Sequence, residues 1–472
     1  MSKPSKSRLF IENFLVYGLG GIISKIIPLI MLPIITYLMP SSEYFGASDL
    51  SNTIVSFGSA TAIMGMYDAM YRMFFEKDGE EYKRIVCSTT LAFTVLMSLA
   101  VFFTVIILRK VIANYFFGNE KYVYIVYLSS ITILVSATNS IISAPTRMQN
   151  KRRIFLIANA ISPLIGYAIS IPLLLMGYYT VALPIAAIVS GIIIETTFLF
   201  LNHQWFSLKL FDRRLLKTLL KLAIPIFPAF LMYWIFNSCD KVMITNMIGI
   251  GAVGIYSVGS KLGHASQLIY TAFAGGWQYF AFSTMRDKNQ VETNSRIYEY
   301  LGVISFIFTA LICVISYPLF NVLFKKEYLE GFVIAPYLFL APLLLMLHQI
   351  SGNQLLVVKK PWTGFFILPT GAIMNVVLNY LLIPKLGIEG AAIATLSGYV
   401  VVCLLDIVIL TKLNLMKLKL RFLWCSILVA LFIVLWRLLF LKSILIGFLF
   451  WGIFTAVCQF LYNTDILILM RK

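Results

Sequence analysis

Leu174–Gly191 reads LLMGYYTVALPIAAIVSG, and Leu381–Gly398 reads LLIPKLGIEGAAIATLSG, 207 residues later. Each joins the end of one apolar run to the start of the next, and both finish on Ser-Gly. Two shorter matches recur at almost the same offset. YFGASDL (44–50) aligns with AVGIYSV (252–258) and sets Gly46 on Gly254, while the basic turn NKRR (150–153) aligns with VKKP (358–361). Offsets that agree within one residue predict a duplicated unit of about 208 residues.

The material between these markers is that of a membrane protein. Of 472 residues, 60% are hydrophobic and only 12% are charged, against roughly a quarter charged in an ordinary soluble domain. Apolar runs of about 20 residues, long enough to cross ~30 Å of hydrocarbon, recur along the whole chain. Fourteen spans are predicted: 13–36, 49–72, 85–108, 122–144, 154–176, 179–202, 222–245, 252–275, 297–320, 332–356, 363–384, 389–411, 422–441 and 444–464. The repeat holds six of them, an even number, so both copies run in the same direction. Parallel repeats of this kind are related by an axis along the membrane normal, and transport sites lie at their interface.

A net charge of +18 would in a soluble chain suggest nucleic acid, but here its placement orients the protein. With the N-terminus cytoplasmic, 27 of the 38 Lys and Arg residues fall on inside segments and 8, Lys241 among them, on outside loops. The positive-inside rule then sets both termini in the cytoplasm. The six cysteines all fall in spans without a CxxC pair, which supports neither a disulfide framework nor a metal site. No small-residue cleavage site follows the first apolar run, so it is read as a span and not a removed leader.

NFLVYGLGGIISKIIPLIMLPIITYLMPSSEYFGASDL (13–50) and DKVMITNMIGIGAVGIYSVGSKLG (240–263) resemble the polysaccharide-transport family of the multidrug/oligosaccharidyl-lipid/polysaccharide exporter superfamily. The likeness extends over nearly the whole chain in length, span count and loop pattern. It implies an all-α polytopic membrane protein with two six-helix lobes around a central cavity. Here these would be residues 1–210 and 211–415, with helices 13 and 14 added in 416–472. It further implies a flippase that moves an isoprenoid-pyrophosphate-linked oligosaccharide across the cytoplasmic membrane by alternating access, for O-antigen, capsule or related envelope glycans. Membrane lipids, and a glycan polymerase or other assembly proteins, would be its partners. No cofactor and no nucleic acid enter this reading. In related lipid flippases, basic residues of the first, second and eighth helices line the cavity, and the last two helices hold the lipid tail.

Lys25 lies about twelve residues into span 1, near mid-membrane, followed by Pro28 and Pro33. A lysine there costs roughly 2.5–3.5 kcal/mol on insertion scales. Lys261 lies nine residues into span 8, between Gly259 and Gly263, a small-xxx-small pair that lets another helix approach. A pyrophosphate headgroup crossing hydrocarbon needs cationic partners of this kind, and a structural ion pair is the plain alternative. Arg72 and Arg147 sit at the inner ends of spans 2 and 4. Arg72 is expected to pair with Asp68 one turn back, Arg147 to anchor the inside surface, and each to help admit substrate. Arg437 is expected to snorkel to the outer face. Asp68, Glu195, Asp406 and His348 are ionisable groups at membrane depth that could carry a coupling ion, with hydrogen-bonded packing as the other reading of His348. Asp240, beside Lys241, is read as structural.

A membrane-embedded glycan polymerase or other enzyme would need a sizeable outer loop, and here the longest are about 12–13 residues. No metal-ligand cluster, Ser-His-Asp arrangement or P-loop motif appears in the sequence. A drug or organic-cation antiporter of the same superfamily would favour an acidic cavity, and a channel would favour a filter motif. The two buried lysines fit an anionic cargo better.

Overall fold

The computed structural model describes residues 25–285, 287–358 and 366–470. Residues 13–24 of the first expected span and residues 359–361 of the second basic turn lie outside them. All regular structure among the described residues is helical. The helices are α1 (Lys25–Leu38), α2 (Ser42–Ile63), α3 (Met66–Phe74), α4 (Glu80–Ile107), α5 (Arg109–Phe117) and α6 (Val123–Met148). Next come α7 (Arg152–Leu175), α8 (Ala182–Asn202), α9 (Arg213–Ala223), α10 (Phe227–Met247), α11 (Ile250–Gly263) and α12 (Gln267–Ser283). The last six are α13 (Gln290–Leu323), α14 (Ala335–Val357), α15 (Ile367–Leu386), α16 (Ile388–Lys412), α17 (Leu420–Leu439) and α18 (Ile444–Met470). Among the described residues, each of the fourteen expected spans contains helix. Ten of these helices are long and apolar enough to cross a membrane.

The other four expected spans are the first, second, seventh and eighth. The first is described only from Lys25. The second is not one helix, because Met64 and Gly65 both take the left-handed conformation (φ 47° and 74°) and part α2 from α3. A Cβ on Gly65 would stand 2.6 Å from the Ala223 carbonyl oxygen, so glycine meets both the backbone angle and the close approach. The seventh is interrupted by the turn at Ile224–Ile226, which contains Pro225, between α9 and α10. The eighth gives way to a 3₁₀ turn, His264–Ser266, between α11 and α12. Averaged hydropathy does not register breaks of two or three residues, which is why the sequence predicts three continuous spans where the second, seventh and eighth are interrupted.

The chain divides into two compact units, Met1–Gly254 and Ile255–Lys472. In the first, α6 is the central helix: 56% of its apolar window is buried, against 6% for α7. It packs on α2, α4 and α8. Polar clamps without charge hold these contacts, as suits a lipid-surrounded bundle where apolar burial gives little drive. The Ser51 and Ser129 hydroxyls lie 2.7 Å apart. Asn202 donates to the Ile142 carbonyl at 2.9 Å and to the Thr146 hydroxyl at 2.8 Å. At one end Met70, Phe74, Val86, Cys87, Ile141, Met148 and Trp205 form an apolar core. Beside it, α9 lays Leu219 and Ala223 against Met66 and Ala69 of α3. Asp212 caps α9 by accepting from the Arg214 and Leu215 amides. This places a helix where the sequence suggests a basic loop, because Arg213, Arg214, Lys217 and Lys221 alternate with its apolar face.

In the second unit α14 has the central role, with 78% of its window buried, and it packs on α13, α16 and α12. α14 and α6 are the fourth spans of the two repeats, so the same member of each copy forms the hub. α15 and α16 make a hairpin through Gly387 (φ 62°), fastened by Asn375 Nδ2 donating to the Thr395 hydroxyl at 3.1 Å. The two added helices dock on α13. Glu299 accepts from the Lys419 amide (2.7 Å), Arg421 (3.2 Å) and the Tyr462 hydroxyl (3.2 Å), and Trp451 donates to the Ile307 carbonyl at 3.1 Å. Asp465, beyond the apolar stretch Ile444–Leu461, completes this knot by pairing with Arg421. Burial would raise its carboxyl, and the Arg421 guanidinium instead carries it below the ordinary carboxylate range.

Candidate functional site

The basic residues singled out in the sequence are best placed by the helices that carry them. Lys25 opens the described part of α1 and is exposed. The helix runs on through Pro28 and Pro33 to Leu38. There Thr36 Oγ1 donates back to the Leu32 and Pro33 carbonyls at 3.0 Å, the usual back-bond of a threonine within a helix. On α11, Gly259 faces Gly331 and Ile334, and Gly263 faces Ala335 and Leu338, each so close that a Cβ would meet those atoms within 3 Å. The glycine face is thus pressed against the start of α14. Lys261, two residues from each glycine and about 200° round the helix, points away from that contact and is exposed. It sits two residues before the break that ends α11. Lys25 belongs to the first unit and Lys261 to the second.

Arg72 and Asp68 are both on α3, just past the Met64–Gly65 break, and both are exposed. The expected pair between them is replaced: Arg72 bonds Glu76, one turn further on. Both acids lie four residues from Arg72, and spacing alone did not choose between them. Arg147, near the end of α6, donates to the Tyr67 hydroxyl at 3.4 Å and lies 5.7 Å over the Phe155 ring. The structure therefore brings α3 and Arg147 together around Tyr67, beside Asp68. Glu195 is half-buried on α8, within hydrogen-bond reach of Thr138 on α6.

His348 and Asp406, chosen separately from the sequence, are bonded to each other. His348 Nδ1 is 2.8 Å from Asp406 Oδ2, linking α14 to α16, and Asp406 is wholly buried. Asp240 is 3% exposed.

Two further ion pairs correct the placement of charges read from the sequence. Lys241, counted as an outside-loop charge, lies inside α10 and bonds the buried Asp49 of α2 at 2.6 Å, with 17% and 4% of the two side chains exposed. Arg437 does not snorkel freely. It forms a fork on Glu389 at 2.7 and 2.9 Å, and Tyr337 donates to the same carboxylate at 3.0 Å. The signal for the first pair was Asp49 itself, a carboxylate seven residues into an apolar helix. A partner 192 positions away leaves no local trace.

These contacts sort the charges. Asp49 and Glu389 are neutralised by basic neighbours, which reduces the acidic surface that an organic cation would seek. Among the described residues, no cluster of three or more His, Cys, Asp or Glu could hold a metal ion.

A family model described as "Polysaccharide biosynthesis protein" matches residues 27–332. An uncharacterized membrane protein of Methanocaldococcus jannaschii is 29% identical over 209 residues. That match covers 43% of this chain and 41% of the relative, so the chain spans well under half the length of that protein. Among solved structures, the lipid II flippase MurJ in an inward closed conformation superposes with a TM-score of 0.71 at 16% identity, covering 96% of this chain and all of that one. A multidrug resistance MATE family transporter in an inward-facing conformation gives 0.65 at 13% identity, over 84% of this chain and 94% of its own. A Vibrio cholerae MATE transporter gives 0.60 at 13% identity, over 86% and 98%. At such identities the likeness is one of fold.

Proposed function

The chain belongs to the polysaccharide biosynthesis protein family, and from that premise we propose that it is a flippase for isoprenoid-pyrophosphate-linked oligosaccharides in the cytoplasmic membrane. The observation that carries this reading is where the helices break. Spans 2 and 8 hold the same place in the two repeats, and each is split into two helices. Interrupted helices in corresponding positions of repeated halves are the usual builders of a transport site, since the loosened backbone can meet a polar cargo. Arg72 follows one break and Lys261 precedes the other.

In this mechanism Lys25 and Lys261 neutralise the pyrophosphate during its passage, and the sugars occupy a wet cavity, with residues 1–210 and 211–415 as the two lobes that work against each other. Arg72 and Arg147 gather the headgroup at the cytoplasmic side, with both termini on that side. The isoprenoid chain stays in lipid or along α17 and α18. Asp68, Glu195, Asp406 and His348 are the candidates for ion coupling. Membrane lipids surround the protein, and a glycan polymerase or another assembly protein receives the exported product. The chain itself transports and does not catalyse.

Complementation of a strain defective in envelope-glycan export tests the reading. Wild type restores export. The double variant Lys25→Ala, Lys261→Ala, at equal membrane abundance, lowers it at least about tenfold, the equivalent of ~1.4 kcal/mol of lost headgroup binding. Full export by the double variant removes the proposed site.

A further inference from the structure

We propose that His348 and Asp406 form a proton-binding site enclosed in the second unit. Its role in driving transport rests on the flippase reading, whereas proton binding itself does not. The pair has a geometry that a packing clamp would not require. Asp406 is 0% exposed, yet only one of its oxygens is engaged: Oδ2 meets His348 Nδ1 at 2.8 Å, while Oδ1 is buried without a partner. A buried acceptor left unpaired costs about 1–3 kcal/mol, a cost that holding two helices together does not call for. His348 is 17% exposed, so the imidazole is the side from which a proton arrives.

The proton balance is simple. With Nδ1–H donating to Oδ2, the remaining ring nitrogen, Nε2, accepts one proton. The pair then passes from a neutral imidazole beside a carboxylate, net −1, to an imidazolium–carboxylate pair, net zero. Release from Nε2 reverses the step. A change of one full charge inside a protein-enclosed site alters how that site packs, and this is the property a coupling group needs.

Among the described residues, the ionisable groups that act on Asp406 besides His348 are Cys403, one turn back on α16, and Tyr298 of α13. Those two hydrogen-bond each other, and the Cys403 thiol also reaches the Leu344 carbonyl at 3.4 Å. Both are neutral residue types at pH 7. The acids on the packed helices are held elsewhere, Glu299 by Arg421 and Glu389 by Arg437. His264, in the turn before α12, follows Gly263, which packs at the level of Leu338. That is ten residues from His348, or about 15 Å along the helix. Tyr270 is a phenol on α12. The stretch of α15 level with Asp406, residues 367–370, holds no ionisable side chain. A metal cation would want a shell of several oxygens, and the described residues offer no such group of acids. A proton needs one acceptor.

The test uses the full chain in lipid nanodiscs with ¹⁵N-labelled histidine rings. The chain has three histidines, so His348→Gln identifies its signal, and His203→Gln with His264→Gln identifies it by elimination if that variant does not accumulate. With the sample stepped from pH 5 to pH 9, the His348 ring is expected to gain and lose the Nε2 proton. Asp406→Asn is expected to displace the midpoint by about one pH unit or more, and exchanging potassium for sodium to leave it in place. A His348 signal fixed across that range, or one that follows sodium, overturns the site. In cells, collapsing the transmembrane pH difference should cut wild-type export about tenfold and leave Asp406→Asn export indifferent. Wild-type export that ignores the pH difference overturns the coupling role. Failure of wild type to restore export at all would instead count against the flippase reading, and the ring titration would still decide the proton site.

Discussion

At the scale of single residues, Lys241 shows what charge means inside this bundle. Its ammonium and the Asp49 carboxylate are 2.6 Å apart and nearly out of solvent. Removing one partner of such a pair strands the other, at a cost of about 3–5 kcal/mol, while replacing both with apolar groups of similar volume is close to neutral. Lys241→Met should therefore lower the thermal midpoint of the purified protein strongly, and Asp49→Leu with Lys241→Met should restore most of it. A double variant as unstable as the sum of the two single ones would contradict a pair. Single charges at membrane depth were legible in the sequence as anomalies: Lys25, Lys261, His348 and Asp406 all stood out against apolar runs. Their partners were not. Asp406 with His348, Asp49 with Lys241 and Glu389 with Arg437 are separated by 58, 192 and 48 positions, and nothing in a linear pattern marks two helices as neighbours. Arg72 illustrates the opposite limit, where two acids at equal spacing competed and only three-dimensional geometry selected Glu76.

At the scale of elements, the repeat markers predict more than the repeat. Gly46 and Gly254, aligned from the sequence as equivalents, meet at one crossing of α2 and α11. A Cβ on Gly46 would lie 2.2 Å from the Ile250 carbonyl oxygen, and one on Gly254 would lie 2.0 Å from that of Ser42. Only a backbone without side chains passes here. Gly254→Val should destabilise the protein by about 2 kcal/mol or more through overpacking, seen as a lower melting temperature. Gly352→Ala, on α14 where an added Cβ meets nothing within 4 Å, should be neutral or slightly stabilising. Equal melting temperatures for Gly254→Val and wild type would mean that the crossing is not this tight. Helix existence was readable throughout, because a 20-residue apolar run has few other uses. The breaks were not. Met64–Gly65 and His264–Ser266 are conformational choices of a few residues inside runs that remain apolar overall, and the amphipathic α9 was masked by its own basic residues.

At the scale of the whole molecule, the chain divides into two compact units, each gathered around one central helix. The first has α6 as hub, flanked by α4 and α8, and the second has α14, flanked by α13 and α16 and extended by α17 and α18 through the Glu299–Arg421–Asp465 knot. Three short matches in the sequence predict a duplication, and the positive-inside count predicts an orientation. What the cargo touches could not be read there, since a binding surface gathers residues from several helices and leaves no motif. The account therefore stands on one claim, that cations on the first and eighth spans recognise a pyrophosphate headgroup. Proteoliposomes containing the purified chain and a short-chain isoprenoid-pyrophosphate oligosaccharide measure it directly, as the rate at which the lipid reaches the opposite leaflet. The account predicts rapid transfer by wild type, near-normal transfer when Lys25 and Lys261 are both replaced by Arg, and a fall of at least about tenfold when both are replaced by Ala. Transfer by the double alanine variant at the wild-type rate would contradict it.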